Sequence, residues 1–362
     1  MKLISILFSV ISINIFAQTF SSPESVVYDP VLSRYIVSNA GTGTSGGSIV
    51  AYDPVSQTIS AFVETGVNSP KGLCLVNDTL FVTDVTSVRG YNIANGTIVF
   101  DVAIPTSNFL NDITADDHNL YLSDNGCNKI FVLNRYNQES FALSQSPFVT
   151  SPNGLYFDAA NNRLILISFV TLNAPVLSVD VTTGIVDTIT NTTLGMLDGL
   201  TMDNDGNYYV SSWSSNSVFR FDNAFANAPV EVATGYNGPA DIFFNTYRSE
   251  IAVANYNANT LEFIPLVNKV ENISNPYSIK VYPNPASSTF SVSYSLKKSS
   301  AIKIQLLDKD GKFVSSLKDD QQKSSDYKID FNVKTSGISI GVYFIKILID
   351  DEVFIKRLVI AS

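Results

Sequence analysis

Pro23-Glu24-Ser25 opens an apolar run, Ser25–Asp29, then a turn at Pro30–Ser33 and a second run, Arg34–Ser38, that ends in a small polar residue. The phrase returns as Pro70-Lys71-Gly72, Leu110-Asn111-Asp112, Pro152-Asn153-Gly154, Leu197-Asp198-Gly199 and Pro239-Ala240-Asp241. Measured at the third residue, the spacings are 47, 40, 42, 45 and 42. Each phrase is followed by the same run, turn and run, as in Gly72–Val76 with Leu80–Thr83 or Leu155–Asp158 with Leu164–Ser168. In the first repeat Ser48–Tyr52 and Ile59–Glu64 complete four strands. A period of this length made only of strand-like runs predicts an all-β fold, a six-bladed β-propeller with one blade per repeat. Residues 18–268 supply the length that six blades need. The sixth repeat is short of a fourth strand, which either the segment near residues 18–21 or residues 269–273 would fill.

The composition fits a folded chain: 362 residues, 45% apolar, 15% charged, net charge −10. The charge divides. Residues 18–268 carry 8 basic and 23 acidic side chains, whereas residues 269–362 carry 14 basic and 10 acidic. An acidic first part disfavours nucleic acid and anionic membrane and favours cations. The change of sign marks a second domain, residues 277–362, after a linker at 269–276. At the N-terminus Lys2, the apolar stretch Leu3–Phe16 and Ala17 read as a signal peptide over residues 1–17, too short to span a bilayer as a helix. The mature protein is therefore expected to be exported and to lack a transmembrane segment. Cys74 and Cys127 fall at different depths of neighbouring blades, which disfavours a disulfide between them.

Equivalent positions of every blade converge on a propeller's axis, so Glu24, Lys71, Asn111, Asn153, Asp198 and Ala240 are expected to form one ring. Glu24, Asn153 and Asp198 offer two carboxylates and an amide, with Asn111 a further oxygen, a set suited to Ca2+ or hydrated Mg2+. Zinc is unsuited, because the single histidine, His118, lies in the Asp116–Asn119 turn at the opposite face. The plainer alternative is a channel filled by polar strand starts that bond one another. The second strands end at the ring's face in Asn39, Asp84, Asp124, Ser168, Ser212 and Asn255, and just beyond them come Phe169, Trp213 and Tyr256. An aromatic wall facing an acidic one suits a sugar-like ligand, with ordinary loop packing the alternative.

Past the linker, strands alternate strictly at Phe290–Tyr294, Ile302–Leu307, Ile329–Val333, Val342–Ile349 and Val353–Ile360, a small antiparallel β-sandwich. Val281-Tyr282-Pro283-Asn284-Pro285, Leu306-Leu307-Asp308-Lys309-Asp310-Gly311-Lys312, Gly341-Val342-Tyr343-Phe344-Ile345-Lys346 and Lys356-Arg357-Leu358-Val359 follow in order. This segment resembles a type A sorting domain of the type IX secretion system. The resemblance implies delivery by that machinery across an outer membrane, to the medium or to the cell surface, with the propeller as cargo.

Within the propeller, Pro23-Glu24-Ser25, Asn111-Asp112, Asn153-Gly154-Leu155 and Asp198-Gly199-Leu200, with Asp205-Gly206-Asn207-Tyr208-Tyr209-Val210, resemble the gluconolactonase/regucalcin family. The resemblance implies calcium held by Glu24, Asn153 and Asp198, a substrate contact at Asn111, and metal-assisted lactone hydrolysis with Asp198 as base and Asp112 in reserve. Two positions depart from the family pattern. Phe109 stands where the family has a substrate-binding arginine, and Lys71 stands at a ring position that is small or neutral in the family. Lys71 either replaces that arginine as a substrate contact or pairs with Glu24 in the cation's place. The expectation is thus a calcium-dependent lactone or ester hydrolase, with Phe169, Trp213 and Tyr256 flanking the substrate. The alternative is a non-catalytic surface propeller that binds a glycan or peptide.

Overall fold

The computed structural model describes residues 19–41, 46–266, 277–308, 313–333, 338–350 and 352–361. The stretch expected as a signal peptide, residues 1–17, and the expected linker, 269–276, with one of the two candidate closing strands, lie outside them. The chain divides into two compact units, residues 1–267 and 268–362. Every regular element among the described residues is a β-strand. No described helix is long and apolar enough to cross a membrane.

The first unit is a six-bladed propeller. Five blades are four-stranded antiparallel sheets whose strands follow one another in chain order, and the sixth shows three strands. The innermost strands are Pro23–Asp29, Pro70–Val76, Leu110–Ala115, Pro152–Asp158, Leu197–Met202 and Pro239–Asn245. Each packs beside the next, and the sixth packs beside the first, so the ring closes. Burial falls from the axis outward. The inner strand of blade 1 is buried along its whole length, whereas half of its outermost strand, Thr58–Val63, is exposed.

Apolar residues of facing sheets fill the wedges between blades. Ile165, Ile167, Val176, Leu200, Tyr208, Val210 and Phe221 form one such wedge. The closing joint is made by side chains from both ends of the unit. Tyr35 donates to Glu250 at 2.7 Å and accepts from the Asn245 side chain at 2.7 Å. Phe20 packs near Tyr52, which stacks on Phe263 of the last blade. Residues 19–22 thus help to close the ring without forming a strand.

The second unit is a two-sheet sandwich. Lys280–Tyr282, Thr289–Ser295 and Asp326–Asn332 form one sheet, and Phe313–Gln322, Ser300–Leu307, Gly341–Ile349 and Glu352–Ile360 the other. Phe290, Val292, Ile304, Leu306, Ile345, Ile347 and Leu358 form its core. Asn284 explains why the Tyr-Pro-Asn-Pro motif accompanies the last strand. Its amide nitrogen donates to the Arg357 carbonyl at 2.7 Å, and its oxygen accepts from the Val359 amide at 2.8 Å.

Candidate functional site

A β-bulge aims the ring residues at the axis. In all six blades the pairing of inner and second strand shifts by one residue within the phrase, as between Pro23 and Ser25 in blade 1 or Leu197 and Leu200 in blade 5. The extra residue leaves the ladder and the strand bends there, so side chains take directions that plain alternation forbids. The first phrase residue, proline or leucine, is buried in every blade. Second-strand hydroxyls bind each bulge to its neighbour: Ser38 donates to the Lys71 carbonyl at 2.6 Å, Thr83 to that of Asn111 at 2.6 Å, and Ser211 to that of Ala240 at 2.7 Å.

Glu24, Lys71, Asn111, Asn153 and Asp198 line one cavity of about 300 Å³, together with Phe109, Asn125, Phe169, Trp213 and Tyr256. Ala240 is fully buried and adds no polar group. The second-strand ends place the rim. Asp124 accepts from the amides of Asn108 and Phe109 at 2.7 and 3.1 Å, and Asp84 from those of Asn68 and Ser69 at 3.0 and 2.7 Å. Phe169 meets Trp213 edge-on at 5.6 Å, and Trp213 lies 5.5 Å from Tyr256. Phe109, expected only as the replacement of an arginine, and Asn125, outside the expected set, both line the cavity. Asn125 follows Asp124 as Phe169 follows Ser168 and Trp213 follows Ser212, so the period itself carried that signal.

Lys71 dominates the electrostatics. Its Nζ lies 2.8 Å from Glu24 Oε1, and both side chains are nearly buried. The ammonium also sits 5.2 Å from the centroid of Phe109 and 5.9 Å from that of Tyr256. Burial pulls the lysine pKa down, but the charge and hydrogen bond of Glu24 outweigh it, so the net direction is up. Burial pushes the Asp198 carboxyl well above the usual range; the charge of Glu24 adds to this and Lys71 opposes it. The Asp198 carboxylate, like the Asn111 and Asn153 side chains, makes no hydrogen bond to another described residue.

Asp112 does not share this cavity. Six inner strands run in one direction along the axis, so later positions face the other mouth, where a second cavity of about 350 Å³ is lined by Asp112, Asp241, Leu73, Cys74, Leu155 and Tyr156 among others. Asp112 accepts from the Ile113 amide at 2.7 Å and from the Leu155 amide of blade 4 at 2.6 Å. His118 is exposed in its turn, against Tyr136. Cys74 and Cys127 are both free thiols.

Oxygen donors of this type suit a hard cation, but the charge already present does not. One oxygen of Glu24 holds an ammonium, so a divalent ion at that oxygen would stand beside a like charge. The donor set as folded therefore does not fit a divalent cation.

Residues 42–247 match the SMP-30/gluconolactonase/LRE-like region, just over half of the chain. The chain belongs to this family. Asn111, Asn153 and Asp198 lie inside the matched stretch, and Glu24 lies before it. Residues 280–361 match the secretion system C-terminal sorting domain. The propeller is thus exported through type IX secretion, to the cell surface or the medium. No curated protein matches the chain.

Solved structures similar to it include a nidogen/laminin complex, at 14% identity and TM-score 0.56 over 65% of this chain and 90% of that one. Kuenenia stuttgartiensis hydrazine synthase is similar at 15% identity and TM-score 0.53, over 72% and 99%. A Bacteroides thetaiotaomicron protein of unknown function is similar at 13% and 0.57, over 68% and 69%. At such identities the likeness is one of fold alone.

Proposed function

We propose that the ring cavity of this exported propeller binds a sugar-like, polyhydroxylated ligand. One observation carries the reading: oxygen donors of Glu24, Asn111, Asn153 and Asp198 line the same cavity as the rings of Phe109, Phe169, Trp213 and Tyr256. Such a pocket satisfies both faces of a sugar, hydroxyls on oxygen and amide groups and C–H faces on rings.

Trp213 is the only tryptophan in the chain, so its fluorescence reports on this cavity. Titration of the full mature protein with a panel of neutral monosaccharides and aldonolactones is expected to give saturable quenching by at least one. Tyr256→Ala is expected to weaken that binding about tenfold through loss of a ring face. Unchanged fluorescence across the panel at concentrations of tens of millimolar would remove the reading.

A second reading, hydrolysis of a lactone, is favoured by family membership and by the Asp198 carboxyl, which lines the cavity and would take a proton from an attacking water. Acid release from the quenching lactone separates turnover from binding, and Asp198→Asn is expected to abolish that release. Binding of a glycan or of a lactone by one pocket leaves the identity of the sugar to the same panel.

A further inference from the structure

We infer that Lys71 is the resident cation of the ring, its ammonium standing at Glu24 where the family would place a divalent ion, so that the cavity takes its ligand without metal. The inference rests on the reading of this cavity as a ligand pocket and names the residue that sets its charge. Three contacts hold the ammonium: Glu24 Oε1 at 2.8 Å, the Phe109 ring at 5.2 Å and the Tyr256 ring at 5.9 Å. A buried cation so paired and flanked by aromatic faces is matched in charge and compensated for lost water. A calcium ion ligated by Glu24 would sit within a few ångströms of this ammonium, where like charges in a dry site repel strongly.

The two departures from the family pattern belong together. An arginine at position 109 would bring a second positive charge beside Lys71, whereas the Phe109 ring gives the ammonium an attractive face. The first and second blades meet in this ion pair, so the lysine also neutralises a carboxylate that would otherwise face Asp198 alone. Release of Lys71 to admit calcium would forfeit the ion pair and both ring contacts at once. The cavity is therefore predisposed to neutral ligands whose hydroxyls reach Asn111, Asn153 and Asp198.

The test uses the full mature protein, stripped of metal, with thermal melting and calorimetric titration against calcium chloride. Wild type is expected to show no midpoint shift up to about 10 mM calcium, since only a ligand of the folded state raises it. Lys71→Met is expected to acquire saturable calcium binding at least tenfold tighter than any wild-type response. The gain should vanish in Lys71→Met/Glu24→Gln. Lys71→Arg, which keeps the charge, should stay blind to calcium and guards against a folding defect in the methionine variant. Sugar quenching of Trp213 should survive a chelator. Submillimolar calcium binding by wild type, or a folded Lys71→Met that gains none, would overturn the assignment. A panel without any quenching, with the calcium pattern intact, removes the ligand reading and leaves the resident cation standing.

Discussion

Gly199→Ala is expected to cost about 3 kcal/mol or more of stability and to lower the propeller's melting midpoint on the order of 10 °C. A Cβ at this position would lie 2.5 Å from the Ile242 amide nitrogen and 2.6 Å from the Asp241 Cα, both backbone atoms of the next blade. Backbone within a closed ring cannot yield as a side chain can, because moving one blade displaces its neighbours. Third phrase residues all point toward the following blade and make two kinds of joint.

At Gly72, Gly154 and Gly199 the next inner strand itself comes close: an added Cβ would meet the Asp112 Cα at 2.7 Å, the Asp198 carbonyl oxygen at 2.5 Å and the Ile242 nitrogen at 2.5 Å. At Ser25, Asp112 and Asp241 a side chain spans the gap. Ser25 Oγ accepts from the Leu73 amide at 3.2 Å, Asp112 from that of Leu155, and Asp241 from Ser25 Oγ at 2.5 Å. Thermal melting by far-ultraviolet circular dichroism decides the matter, and a Gly199→Ala midpoint within about 2 °C of wild type would refute the account.

Stability is expected to fall as pH rises from about 5 to 8, and Asp241→Asn to remove much of that fall. Burial pushes the Asp241 carboxyl up to about 7, with Glu24's charge adding to it and hydrogen bonds from Ser25 and Ile242 opposing it. The folded protein thus keeps a proton that the unfolded chain releases near pH 4. A group raised in this way contributes its stability fully below the unfolded pKa and loses it as pH climbs through the folded value. Ionisation of Asp241 within the fold therefore lowers stability between those limits. Burial moves Asp112 and Asp198 in the same direction. Asp158 and Asp116, lowered by hydrogen bonds that outweigh burial, act oppositely and only in more acidic solution. Urea unfolding at pH 5 and pH 8, for wild type and Asp241→Asn, measures the slope. A wild type equally stable or more stable at pH 8 contradicts it.

Much of the fold was legible because a blade is a local object. Each run of the first repeat reappears as a strand within one or two residues, and the Asp203 turn of blade 5 is fixed by its own side chain, which accepts from the amides of Asp205 and Asn207 at 2.9 Å. In the second unit Phe313–Gln322 gave no strand signal, since an edge strand with most residues exposed has no face to alternate. Lys280–Tyr282, three residues long, is too short to display a period.

The sequence by itself determined which residues share the ring, because a period of one blade brings equivalent positions to one axis at any distance along the chain. It also marked the exported tail, through motifs that follow one another in the order of a sorting domain. Only the tertiary structure decided what the ring residues do with one another. Glu24 and Lys71 lie 47 positions apart and meet because a bulge in each phrase turns both side chains from the sheet ladder to the channel. The same closure sends Asp112, one position beyond the ring, to the opposite mouth and into a backbone hydrogen bond with the next blade. Alternation along a strand is a one-dimensional rule, whereas the direction of a side chain at a bulge, and the charge it meets across an axis, are set by neighbours that only the closed ring supplies.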